Sequence, residues 1–167
     1  MFQTIADFER NWNYERDATA KVFKALTDAS LAQAVSPQDR TIGRIAWHMA
    51  QTHPEMLAHT GLTIDGPAVE APVPNSAAEI VVGYERGSAS VLEQVKANWT
   101  DETLQQTDNM YGEVWKRGFT LMALVCHEVH HRGQLTVLMR QAGLSVPGIY
   151  GPAREEWSAM GMAAPAI

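Results

Sequence analysis

Apolar residues recur every three or four positions along four long segments of this chain, a rhythm that commits it to helices rather than strands. In the first segment, from about Thr4 to Leu26, the recurring positions are Ile5, Phe8, Trp12, Glu15, Thr19, Val22, Phe23 and Leu26. Asp28 and Ser30 mark the turn that follows. The second segment starts near Thr41, behind Ser36-Pro37 and Asp39, and carries Ile45, His48 and Met49 along one side. Its Thr52-His53-Pro54-Glu55 has the form of a capping box with proline in the first turn, which predicts a kink or restart before the helix ends near Thr60.

Between Gly61 and Asn75 stand Gly66, Pro67, Pro72 and Pro74 and no helical pattern, so this connection is far longer than a loop between antiparallel neighbours. It predicts a crossover. Ser76-Ala77-Ala78-Glu79 is a second capping box and opens a third helix to about Trp99, with Ile80, Tyr84, Val91, Leu92 and Val95 as its core. Residues 103–118, with Gly112 and Gly118 around Tyr111, Val114 and Trp115, read as an irregular or briefly extended excursion. The fourth helix runs from about Phe119 to Gln141 and stops at Gly143, a residue suited to a left-handed cap. Pro147, Gly148, Gly151 and Pro152 exclude another long helix, and the tail is expected to pack through Tyr150 and Trp157. Four helices and one long connection predict an all-α fold, a four-helix bundle formed by residues 1–167 as a single domain.

A chain of 167 residues buries enough surface to fold without a metal or a disulfide. Cys126 is the only cysteine, which points to a reducing, cytoplasmic setting. Charged residues break up the first sixteen positions, so no secretory leader is expected, and no run reaches the roughly 20 apolar residues of a membrane span. The net charge of −6, with its 13 basic residues scattered, argues against a nucleic-acid partner.

Half of the six histidines lie in Cys126-His127-Glu128-Val129-His130-His131-Arg132-Gly133-Gln134-Leu135, inside the fourth helix. Residues four apart on a helix differ by about 40° and residues three apart by about 60°, so His127 can pair with His131 or with His130. His130 and His131 diverge by about 100° and serve one ion poorly. Two imidazoles a turn apart still need a ligand from elsewhere. His48, inside the apolar run Ile45-Ala46-Trp47-His48-Met49, is the best third ligand, although a hydrogen-bonded core histidine is the competing reading. His59 lies about 16 Å further along the same helix, and His53 points more than about 100° away and precedes proline, which reads as a surface or hinge position. The compact set is His48, His127 and His131.

Other residues carry weaker signals. Cys126 is offset by about 100° from His127 and reads as a small buried residue rather than a fourth ligand. The five tryptophans read as packing anchors, Glu55 as a solvated carboxylate or a base near His48, and Arg132 and Gln134 as surface residues or hydrogen-bonding supports. Gly133 within a helix implies the close approach of a neighbour.

Thr41 to Met49, His127 to Leu135 and the tail Pro147-Gly148-Ile149-Tyr150-Gly151-Pro152 together resemble the DinB/YfiT-like superfamily. The resemblance implies a bundle in up-down-down-up order, a divalent metal on His48, His127 and His131, and thus His131 rather than His130. It also implies thiol-dependent transferase or isomerase chemistry with a low-molecular-weight thiol such as bacillithiol or mycothiol, and pairing into homodimers.

Three imidazoles leave a coordination position open, as in catalytic zinc sites, where a bound water reaches a pKa of about 7 and a bound thiol ionises. Zinc suits the set best, while nickel, iron, cobalt or manganese also fit. The leading expectation is a metal-dependent thiol S-transferase acting on an electrophile. Metal-dependent hydrolysis and a non-catalytic metal-binding stress-response module are the alternatives.

Overall fold

The computed structural model describes residues 1–166. Helix α1 spans Ile5–Lys24, α2 Ile42–Ala58, α3 Ala77–Asn98 and α4 Arg117–Gln141. Hydroxyls set the first three N-termini: Ser76 caps α3 as its capping box predicts, accepting from the Glu79 backbone N–H, while Thr4 and Thr41, rather than Ser36 or Asp39, cap α1 and α2 by accepting from Asp7 and Arg44. Gly143, at φ 75°, follows the end of α4.

Side-chain contacts set the helix directions. Trp12 reaches Ser88 and Lys96 meets Glu9, so α1 and α3 run antiparallel. Trp47 packs on Gly83 and His53 on Gly87, so α2 and α3 run parallel. Phe2 meets Gly118 and Glu15 meets Arg132, which makes α4 parallel to α1. The order is therefore up-down-down-up. Residues 61–75 make the crossover that the parallel pair α2 and α3 requires, pinned by Gln51, whose side-chain amide donates to the carbonyls of Ala68, Val69 and Ala71.

The core forms two apolar groups along the bundle. One gathers Phe23, Ile42, Met49, Ile80 and Leu138, the other Phe8, Leu57, Val91, Leu104 and Leu121. Strands β1 (Thr107–Met110) and β2 (Glu113–Lys116) form an antiparallel hairpin in the excursion before α4. Its two-residue loop, Tyr111-Gly112, has φ of 58° and 89°, the positive values a tight hairpin demands.

Local expectations at several positions are corrected. Helix α2 passes through Pro54 unbroken, and Thr52 donates its hydroxyl to the His48 carbonyl rather than capping a new helix. Gly133 is exposed, and a Cβ there would meet nothing within 4 Å, so no neighbour approaches it within the bundle. Cys126 is exposed on the outer face of α4. Among the described residues no helix is long and apolar enough to cross a membrane.

Candidate metal centre

Helices α2 and α4 face each other antiparallel, and their contact brings His48 against His127 and His131. His48 stands half-buried between the buried residues Trp47 and Met49. One nitrogen from each of the three imidazoles lies within 4.8 Å of the other two. The Nε2 atoms of His48 and His127 are 3.0 Å apart. Two imidazole nitrogens that close must hold a proton or a shared cation between them, since facing lone pairs repel. Nitrogens about 2 Å from one zinc ion sit about 3.3 Å from each other, so the donor set fits a divalent metal in type and number, and the His48–His127 pair fits it in spacing.

The support around the rings agrees with that fit. His131 Nδ1 lies 2.7 Å from the Gln134 side-chain oxygen and must be the donor, which leaves Nε2 with its lone pair. The Gln134 amide nitrogen in turn meets His130 Nε2 at 3.1 Å. His130 is thereby engaged outside the cluster of His48, His127 and His131. His127 Nδ1 is buried without a protein partner. Burial, then the neighbouring His131, Arg40 and Arg44, pushes the His48 pKa down to about 4. Burial, then His131 and His48, lowers that of His127 to about 4 despite the opposing Glu128 carboxylate. Burial also lowers His131. All three imidazoles are therefore biased toward the neutral form, the form that ligates a metal.

Two clefts open onto the cluster. The larger, about 520 Å3, adjoins His131 and is walled by Arg40, Ile45, Gln134 and Leu138. The other, about 300 Å3, is lined by both His48 and His127 and by Glu55, Met56, Tyr111 and Trp115. Trp115 thus belongs to a cleft wall and not only to packing. His59, at the end of α2, lies outside the cluster with its ring 4.9 Å from that of Tyr111.

His53 is the largest departure from the sequence reading. Far from being a surface or hinge residue, it is fully buried, and its Nε2 is 3.0 Å from Glu128 Oε1. Glu128 is fully buried too, and its Oε2 accepts hydroxyl hydrogen bonds from Thr19 and Tyr84, each at 2.9 Å. One carboxylate on α4 thus receives one hydrogen bond from each of the other three helices. Burial and Glu128 raise the Tyr84 pKa, which keeps its hydroxyl a donor. Arg132 is likewise buried rather than exposed. It pairs with Glu15 at 2.6 Å and contacts Thr19 and the Tyr150 hydroxyl, so the tail is tied to the bundle through that hydroxyl while the Tyr150 ring stays largely exposed. A signal for both residues exists in the sequence: Leu121, Leu124, Glu128, Arg132, Leu135 and Met139 form a single stripe at three- and four-residue spacing.

The chain is 48% identical over 165 residues to the uncharacterized protein YrdA of Bacillus subtilis strain 168, covering 99% of both chains. The crystal structure of a DinB-like protein from Bacillus cereus ATCC 10987 superposes with a TM-score of 0.86 at 43% identity, covering 90% of this chain and all of that one. A second DinB-like protein, YjoA of Bacillus subtilis, shares the fold with a TM-score of 0.67 at 16% identity, covering 86% of this chain and 96% of its own. Residues 1–164 match the model of the DinB family, and the chain, with its up-down-down-up bundle and three clustered imidazoles, belongs to that family.

Proposed function

We propose that this DinB-family chain holds a divalent metal ion on His48, His127 and His131 and uses it to transfer a small thiol to an electrophile. The observation that carries the reading is the convergence of three deprotonated imidazoles on a point flanked by two clefts. A metal saturated by protein, with a purely structural role, needs no such access. The ion would supply Lewis acidity, lowering the pKa of a thiol or water that reaches its open position.

The chain's own residues supply the rest. Gln134 fixes the His131 ring through Nδ1. Burial keeps His48 and His127 deprotonated. Two separate clefts suit two reactants better than one substrate and water, which favours transfer over hydrolysis. Hydrolysis also requires a general base beside the ion, and Glu55, seven residues beyond His48, stands about 10 Å along the helix from it.

Anaerobic metal analysis of the purified protein, followed by turnover assays with a panel of thiols and model electrophiles, tests the reading. About one divalent ion per chain is expected, with loss of that ion in His48→Ala and His131→Ala. A chain without stoichiometric metal, or with unchanged metal in both variants, refutes it. Turnover with water alone as nucleophile would move the assignment to hydrolysis.

A further inference from the structure

The smaller cleft has an end built for recognition. Tyr111 occupies the hairpin loop at φ 58°, a conformation that asparagine, aspartate or glycine adopts more readily than a bulky aromatic residue. A loop needing only to turn has no use for tyrosine there. Its side chain reaches α2: the hydroxyl donates to Glu55 Oε2 at 2.9 Å, and the ring stands 4.9 Å from that of His59 and 6.0 Å from that of Trp115. Strained backbone held by side-chain contacts at a cleft rim is a mark of a functional position.

Glu55 is part-buried, and among the described residues it pairs with no lysine or arginine. Its Oε1 lies 3.6 Å from His59 Nε2. The carboxylate therefore keeps one oxygen for a ligand, beside two aromatic rings whose faces attract cations. Seven residues separate it from His48, about 10 Å along the helix, and Met56 and Ala123 wall the space between with apolar surface. That distance suits a grip on the far end of a molecule whose near end reaches the imidazoles. An anion would meet repulsion at Glu55, and a neutral group would gain nothing from the charge of the carboxylate.

We propose that this cleft selects an elongated apolar molecule ending in an ammonium group, with the cation seated between the Glu55 carboxylate and the rings of Tyr111 and Trp115. The proposal deepens the transfer reading by naming the class of the electrophilic reactant, and it rests on that reading for the role of the cleft.

The test is a titration with hexyltrimethylammonium, which has no lone pair for a metal, and with hexanol as its neutral counterpart, run on metal-loaded and metal-stripped protein. Binding is followed by NMR through the Trp115 indole N–H, assigned with Trp115→Phe. The ammonium is expected to bind about tenfold more tightly than the alcohol. Glu55→Gln keeps an oxygen for the Tyr111 hydroxyl and should remove most of the ammonium preference, leaving only the part due to the rings, with alcohol affinity unchanged. Equal affinities in the unmodified chain, a preference undiminished by Glu55→Gln, or no shift at Trp115 overturns the proposal. A chain that takes up no metal but keeps the Glu55-dependent preference refutes the transfer chemistry and not the selectivity. Metal uptake with thiol transfer and no preference does the reverse.

Discussion

Replacing Arg132 by methionine should cost far more than its place on the outermost helix in sequence order suggests. The guanidinium donates to the Glu15 carbonyl at 3.1 Å, to the Thr19 hydroxyl at 3.2 Å, and to the Glu15 carboxylate and the Tyr150 hydroxyl at 2.6 Å each. Arg132 is 2% exposed and Glu15 5%. Arg132→Met leaves the Glu15 carboxylate buried with only the Tyr150 hydroxyl as donor. Removing one member of a buried ion pair costs about 3–5 kcal/mol, mainly because the other charge is stranded. For a chain of this size, that corresponds to a melting temperature lower by roughly 10 °C. Urea titrations of the metal-stripped protein read the loss directly through the shift in midpoint at constant slope. The double variant Glu15→Met with Arg132→Met removes both charges and replaces them with apolar volume, so it should regain at least half of the single variant's loss. A cost for Arg132→Met below about 1 kcal/mol refutes the reasoning, since that would mean the pair is solvated. So does a double variant as unstable as the sum of the two single ones.

Three further outcomes are expected. In the unfolded chain His48 and His127 take up protons as pH falls below about 6.5, whereas in the fold they resist down to about 4. The unfolded state therefore binds more protons across that window, and stability of the metal-stripped chain should fall as pH drops through it, by about 2 kcal/mol for the pair after allowance for solvent screening. Urea midpoints at pH 7 and 4.5 measure this, and an equal loss in a His48→Gln, His127→Gln double variant would show that other groups cause it. Gln134→Leu should weaken metal affinity roughly tenfold by releasing the His131 ring, as read by competition with a chelator, and unchanged affinity would remove Gln134 from the site. Finally, Gly118→Ala should destabilise by about 1–3 kcal/mol, because its Cβ would fall 2.2 Å from the Phe2 carbonyl oxygen. Gly133→Ala, in open space on an exposed helix face, should stabilise by about 0.5–1 kcal/mol. Thermal melts of the two variants moving in the same direction would contradict the packing described.

The bundle was legible because its instructions are local. Periodicity, the cap at Ser76, and the glycine and proline content of 61–75 each act within a few residues. The imidazole cluster was legible for a related reason: His127 and His131 declare themselves by spacing on one helix, and His48 by standing in an apolar run. His53 is not legible because its angle to His48 and the proline after it are local, while the groups that bury and bond it, Trp12, Tyr84 and Glu128, lie far away in sequence. For Arg132 the sequence leaves a surface residue and a hydrogen-bonding support side by side, and the support holds, in keeping with its place on the same core-facing stripe as Leu124 and Leu135. The inward turn of Tyr111 could not be read from sequence, because nothing in a linear pattern says which helix a hairpin tip will meet.

Glu128 has a consequence for how the bundle can fail. Helices packed through apolar side chains resist sliding only through the fit of those side chains, and a shifted apolar contact strands no polar group. Here a slip of one residue in α1, α2 or α3 swings its donor by about 100° and strands both the donor and a buried carboxylate. Thr19, His53 and Tyr84 therefore act as three teeth of one key, and the bundle has a single alignment in which all of them engage. That alignment also holds α2 and α4 in the register that sets His48 opposite His127. Positional uniqueness at the imidazoles is thus enforced from within the core, one residue along α4 from His127.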